Sequence, residues 1–495
     1  MGHIHLRWHT LMCAIVCLCM LALVPGFTKA QCDCDAYPPP APDETIVTVS
    51  STAEVQNAIA NASGRTTIYL AAGVYPVTNA SLINIFKPNI TLRSLSGNRD
   101  DVIIQGAGMD APGVGHGIYI DADDVTIADL TVRDVPNHGF FINPGSDNCT
   151  FYNVRGVDCG EQILKASGYT NEPPKNNGVI RCSTFEYTTV LDDGDDGWYT
   201  NGIDLLNCHD WVISDNIIRN IKHNPAITST LAGPAILLWH GSSNTIVERN
   251  RIIECDFGIS FGNAGQNGVS HTGGIIRNNF IVGYDQSDFA IGLIYAPGAK
   301  VLHNTVYSPG GWGWSIEARF SETVDCLIQN NLCDEPVWQD RDGAAATAVS
   351  NITTATEADF LHAAIGDLHL NPLSSALSAG VPVADRTMDI DCESISDPPD
   401  IGADQVHIDI AVNDLQELPS AISVYPNPAG NILTVIGYDI DEIRIVDMLG
   451  RTVVERHAGS TRTDVTLENL RPGSYLVVAQ GKQRIHSTII QVIAD

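Results

Sequence analysis

The sequence predicts an all-β solenoid followed by a small, separate β-sandwich. The first observation is a repeated segment: WVISDNII from Trp211, TIVERNRI from Thr245, GIIRNNFI from Gly274, KVLHNTVY from Lys300 and CLIQNNLC from Cys326. Each places an apolar residue three positions before an asparagine, as in Ile213/Asn216, Val247/Asn250, Ile276/Asn279, Val301/Asn304 and Ile328/Asn331. These asparagines recur at steps of 34, 29, 25 and 27 residues, with weaker copies whose slot holds Leu130, Val154 and Ser183. The second observation is a short apolar run ahead of each copy: GIYI at Gly117, GFFI at Gly139, GIDLL at Gly202, AILLW at Ala235 and GISFG at Gly258. A period of this length made of short β-runs is one turn of a solenoid. The third observation is the change after Ala421 to alternating strands with regularly spaced turn residues, the pattern of a small sandwich.

Within the solenoid, strand periodicity points alternate residues inward, so Ile118/Ile120, Ile203/Leu205 and Ile259/Phe261 should stack in the core. The asparagines fit the turns between strands. There they tolerate left-handed backbone angles, and each amide can satisfy its neighbour in the next coil. This pattern resembles the right-handed parallel β-helix of the pectate-lyase-like superfamily over roughly Thr45 to Leu332. The resemblance implies the fold; the VWIDH-type string of pectate lyases is absent.

Residues 1–30 read as a secretory signal peptide, with an apolar run from Leu11 to Val24 and small residues before Gln31. No other stretch is long and apolar enough to span a membrane. Residues 31–44 are a Pro-rich linker. Ser51 with Glu54 makes a capping box, which predicts a helix from Thr52 to Ala60 that plugs the end of the solenoid. TIYLAAGVYPV, from Thr67, begins the coils, and Ile90–Leu95 and Val102–Gly106 continue them. Ten cysteines follow the leader; their scatter gives no zinc pattern, and buried free thiols are expected for most. Residues 333–411 form a closing segment and 412–420 a linker.

YPNPAGN and LRPGSYLV, in residues 421–495, resemble the C-terminal sorting domain of the type IX secretion system of Bacteroidota. The resemblance implies the secretion machinery as a partner and a secreted or cell-surface destination. The chain ends STIIQVIAD, without a Lys-rich ending, which leaves anchoring and release both open. With 58 acidic and 27 basic residues, the net charge of −31 argues against nucleic acid and anionic membranes as partners.

The middle coils are long because of insertions at Gly168–Asn177, Thr188–Asn201 and Lys222–Gly233, expected to wall a groove on one face. A groove over stacked strands suits a linear polysaccharide. The commonest chemistry on the resembled fold is β-elimination at a uronate, which needs a cation for the sugar carboxylate and a base for the adjacent proton. Lys165, His240 and Arg181 are the catalytic candidates. Asp204, Trp239, His138, Tyr119 and Phe141 are the substrate-binding candidates, and His116 should stack on His138. Asp192, Asp193, Asp195 and Asp196 are candidate Ca²⁺ ligands in a Gly-containing loop whose spacing is not that of an EF-hand. Two other readings stand beside the lyase. A glycoside hydrolase would pair Asp204 with Glu161 or Asp193. A non-catalytic glycan-binding adhesin would need the aromatic residues alone. Convergence of Lys165, Asp204 and His240 on one sugar separates them.

Overall fold

The computed structural model describes residues 34–407 and 423–493, apart from 79–81, 113–114, 190–198, 267, 312, 364–365, 385, 387, 437–439, 448–450, 459–461, 469 and 482–484. The signal peptide and the 412–420 linker lie outside the described residues. Two compact units divide at residues 407 and 408. The first is a right-handed parallel β-helix. Each coil visits three sheets in turn: Thr126–Ala128 lies in sheet A, Thr131–Val135 in sheet B and Phe140–Ile142 in sheet C, before Thr150–Tyr152 returns to sheet A. Sheet A has twelve strands, sheets B and C ten each, and a four-stranded sheet D lines the path from C back to A.

Every coil-to-coil pairing is parallel and in register, with single-residue shifts only where the last coil joins, so like residues form columns. Ile127, Phe151, Ile180, Ile213, Val247, Ile276, Val301 and Ile328 make one such column, and all are fully buried. These are the apolar positions that precede the repeated asparagines. Ile118/Ile120, Ile203/Leu205 and Ile259/Phe261 point inward as their alternation requires. Each such buried side chain contributes about 1.5–3 kcal/mol of transfer free energy.

The asparagines occupy the turn from sheet A to sheet B. Asn216 Nδ2 donates to Asn250 Oδ1 at 3.0 Å, Asn250 to Asn279 at 3.0 Å, Asn279 to Asn304 at 2.9 Å, and Asn304 to Asn331 at 3.0 Å. Each Oδ1 also accepts the backbone N–H of the asparagine one coil earlier, as Asn279 does from Asn250 at 2.9 Å. One more rung follows, with Asn331 donating to Asn351 at 2.9 Å, and strands Val337–Arg341 and Ala345–Val349 continue sheets C and A beyond Leu332. The left-handed backbone sits one residue earlier than expected: Asp215, Arg249, Asn278, His303 and Asn330 have φ between 51° and 61°, and the ladder asparagines do not. The turn residue absorbs the strain, which frees the next side chain to point inward.

The helix Thr52–Asn61 is present, capped by Ser51, whose side chain accepts Glu54 N–H at 3.3 Å. Val55 and Ile59 enter the core and close its N-terminal end. Residues 34–38 lie along the outer face of sheet A. Cys34 is disulfide-bonded to Cys182, Tyr152 donates to Asp35 O at 2.7 Å, and Arg93 donates to the carbonyls of Pro38 and Tyr37 at 2.7 and 3.1 Å. The closing segment covers the outer face of sheet B, where Phe280 and Leu332 pack with Phe360, Leu368, Leu370, Ile390 and Ile401. Cys149, Cys159, Cys208, Cys255, Cys326 and Cys333 are buried free thiols, as expected, while Cys392 is disulfide-bonded.

The second unit contains a three-stranded and a four-stranded antiparallel sheet, with Leu433, Val435, Ile443, Ile445, Val465, Val477 and Ile490 in its core.

Replacing Asn279 by Leu would strip the acceptor from Asn250 N–H and Nδ2 in a fully buried turn. We expect a loss of about 1–3 kcal/mol, read as a lowered melting temperature; an unchanged melt would show the rung to be dispensable.

The solenoid also buries neutral imidazoles. Burial, reinforced by neighbouring His209, pushes His271 down to about 3, and burial with the Arg386 charge pushes His303 down to about 2. Unfolded, both return to the ordinary value of 6.5. Below that pH the unfolded chain binds protons that the folded chain refuses, so stability falls as pH drops, by about 1.4 kcal/mol per pH unit per histidine. His369 works oppositely: burial alone would lower it, but hydrogen bonds and charge from Asp391 and Asp367 raise it on balance. Its contribution is complete below 6.5 and is lost as pH rises through its raised pKa. Melting curves from pH 7 to pH 4.5 should therefore fall less steeply in a His271→Gln variant, and parallel profiles would contradict this account.

Candidate active site

Most of the candidate residues lie on sheet C. Between its inward residues runs one outward column, in strand order: Asn84, Tyr119, Phe141, Lys165, Asp204, Leu237, Ser260, Gly292, Glu317 and Trp338. At its N-terminal end the aromatic side chains pack on one another. The Tyr119 and Phe141 rings stack at 5.2 Å with 9° between planes, and His116 stacks on Phe141 at 4.7 Å and on His138 at 5.1 Å. His138 is buried, with Nδ1 3.1 Å from Gln162 O and Nε2 3.2 Å from a Glu161 carboxylate oxygen. Burial holds it well below the ordinary imidazole range, helped by the charges of His116 and Lys165. Asn137 donates to the other Glu161 oxygen, so Glu161 serves this histidine stack.

The next three strands bring Lys165, Asp204, Trp239 and His240 together. Asp204 is fully buried although it faces outward, because its carboxylate is covered by two partners. Lys165 Nζ forms an ion pair with one oxygen, and Trp239 Nε1 donates to the other at 2.7 Å. Alternation places Trp239 on the same face as Leu237, and its indole leans back one coil to reach Asp204. His240 ends this strand with φ 54°, which turns its ring against Trp239 at 4.3 Å between centroids. Its pKa is lowered, first by burial; the charge of Asp204 opposes this and that of Lys165 adds to it. At neutral pH His240 is therefore an uncharged imidazole.

The first insertion reaches this cluster. Tyr169, 57% exposed at the start of the first insertion, presents its ring edge-on to His240 at 4.9 Å. Asn207 donates to the carbonyls of Tyr169 and Glu172 at 2.9 and 3.0 Å and so holds that loop. From the coil after it, Gln266 brings its amide nitrogen to 2.6 Å from His240 Nδ1. The third insertion is anchored by the fully buried Asp256, which accepts the backbone N–H groups of His223 at 2.8 Å and Ala232 at 2.7 Å and also binds the His223 ring and Tyr284 OH. Tyr169, Gln266 and Asp256 were not among the sequence candidates. Tyr169 had a legible signal as an aromatic residue opening a wall loop, whereas nothing local marks Gln266.

Arg181 is not brought to this cluster. It lies on sheet A, where its Nε donates to Asp215 at 3.1 Å in a network shared with Arg249. Sequence order placed it just after Lys165, but the coil carries the chain to another sheet in those residues. The four aspartates at 192, 193, 195 and 196 lie outside the described residues.

Residues 116–332 match the family model described as a right-handed beta helix region, and residues 423–493 match that of the secretion system C-terminal sorting domain. The chain is a right-handed parallel β-helix protein with a C-terminal secretion sorting domain. That domain directs this β-helix protein through the type IX system to the cell surface or the extracellular space. Among the described residues, no helix is long and apolar enough to cross a membrane. No curated protein matches the sequence. The β-helix protein is similar to the crystal structure of an alginate lyase from Paenibacillus sp. str. FPU-7, with 17% identity, 61% of this chain and 97% of that chain covered, and a TM-score of 0.43. It is also similar to pectate lyase Pel9A, with 13% identity, 77% and 99% covered, and a TM-score of 0.43. A third is a PL6 family polysaccharide lyase from Pseudopedobacter saltans, with 12% identity, 66% and 97% covered, and a TM-score of 0.36. Likeness at this level transfers no activity.

Proposed function

We propose that the β-helix unit is a polysaccharide lyase that cleaves a uronate-containing glycan by β-elimination. The observation that carries this reading is the convergence of Lys165, Asp204, Trp239 and His240 on three adjacent strands of one outward face. Lys165, positioned by its ion pair with Asp204, pairs with the sugar carboxylate and so acidifies the proton next to it. His240, neutral through burial, takes that proton. The electron pair left on carbon forms the new double bond, the glycosidic C–O bond breaks, and the leaving oxygen takes up a proton from water. Trp239 supports a sugar ring, with Asp204 orienting both its indole and Lys165. Tyr119 and Phe141 extend the binding face at the N-terminal end, with the buried His138 stacked behind Phe141. In the same reading Ca²⁺, held by Asp192, Asp193, Asp195 and Asp196, would add a second positive charge for substrate carboxylates.

The test is a panel of pectate, alginate, glycosaminoglycans and neutral glycans. Elimination yields an unsaturated product that absorbs in the ultraviolet, whereas hydrolysis yields only reducing ends. We expect ultraviolet-absorbing product on a uronate polymer, a fall in rate of at least about 100-fold in Lys165→Ala and His240→Ala, and a rate that declines on the acid side as His240 protonates. Binding without either product would favour the adhesin reading, and full lyase activity in Lys165→Ala would remove that residue from the mechanism.

Calcium is tested separately. A chelator should lower the rate and added Ca²⁺ restore it; rates and melting curves identical with and without chelator would eliminate the ion from the reading.

A further inference from the structure

The outward column that holds Lys165 and Asp204 ends in a second polar and aromatic cluster. Glu317 occupies the same column position four strands beyond Asp204, and Trp338 five. At the usual spacing of parallel strands, five steps is about 24 Å. Arg341 forms an ion pair with Glu317, which is 1% exposed, and lays its guanidinium 4.7 Å from the Trp314 ring centroid and 4.9 Å from that of Trp338. The two indoles meet edge to face at 4.9 Å and 75°. Trp338 is nevertheless 38% exposed.

Placing a carboxylate on an outward position and burying it under one arginine is costly, and an apolar pair of similar volume would cover the last coil at least as well. What the ion pair does supply is a guanidinium held in one place, which in turn holds two indoles rigidly with part of one in solvent. A rigid, partly exposed indole with a satisfied polar neighbour is suited to the apolar face of a sugar ring. Between the two clusters the column is covered by neighbouring side chains: Leu237 and Ser260 are buried, and the Phe289 ring lies against Gly292, so a glycan spanning both clusters would pass over this cover rather than on the strands.

We infer that Trp314, Trp338 and Arg341 form a distal sugar subsite for the same linear glycan that reaches Lys165, engaged only by chains long enough to span both clusters. This rests on the proposed reading of sheet C as a glycan track. The competing role is a purely structural cap on the last coil. A cap predicts a loss of stability that is blind to substrate length.

The test uses oligomers of three and of eight units, cut from whichever polymer the panel shows to be bound, with the full chain and its Trp338→Ala and Trp338→Tyr variants. For Trp338→Ala we expect affinity for the octamer to fall about tenfold, the usual effect of losing one aromatic anchor. Affinity for the trimer should stay within about twofold, since one rim-type contact outside its reach carries little. Trp338→Tyr keeps a ring and should recover most of the octamer affinity. Equal losses on both lengths, or no loss on the octamer, in a variant that melts like the parent would overturn the subsite and leave the track intact. Failure of the parent to bind any glycan would overturn both.

Discussion

The structure depends on the hydrogen-bonded stacking of one coil on the next, and the buried asparagine ladder is where that stacking is most exacting. A parallel sheet alone tolerates slippage, because each strand sees a similar neighbour. An amide at every turn does not. Asn250 and Asn279 each use the side-chain oxygen to accept from the preceding coil, and the amide nitrogen to donate to the following coil's asparagine and to carbonyls of the preceding coil and of their own. A shift of one residue would leave several buried polar groups unpaired, at about 1–3 kcal/mol each. Register is thereby locked along the stack, and outward residues on distant coils fall into line.

That alignment is what allows a site to be assembled from single residues on separate coils. Lys165 and Asp204 are 39 positions apart in sequence and face each other because their strands pair in register. Asp204 and Trp239 sit two column positions apart on adjoining strands, close enough for the indole N–H to reach back. The first insertion brings Tyr169 onto the cluster without disturbing the columns, because it leaves and re-enters the stack between strands. Asp256 shows how another insertion is held: a single buried carboxylate satisfies both of its ends.

The remaining faces are assigned by the segments that cover them. Residues 34–38, tied down by the Cys34–Cys182 bond, lie on sheet A, and the closing segment lies on sheet B. Among the described residues neither segment covers the outward column of sheet C. Both covers answer the same problem, which is that a coil stack exposes apolar residues such as Phe280 on its outer faces as well as burying them within.

The coil was legible in local sequence alone. The spacing of Asn216, Asn250, Asn279, Asn304 and Asn331, the apolar residue three before each, and the strand-length apolar runs are local signals repeated often enough to be read with no tertiary information. The capping pair Ser51/Glu54 and the sandwich pattern after Ala421 were legible for the same reason. Strand alternation also identified Asp204 and Trp239 as outward residues, with Lys165 closing the strand before theirs. Which of these residues meet follows from how the coils stack. Arg181 is close to Lys165 in sequence yet belongs to another sheet, and Tyr169 and Gln266 reach His240 from loops whose course no periodicity constrains. The seat of the left-handed residue, one position before each ladder asparagine, was likewise invisible. Which of two adjacent turn residues takes the unusual φ depends on which side chain has a partner in the coils above and below, and that partner lies some thirty residues away.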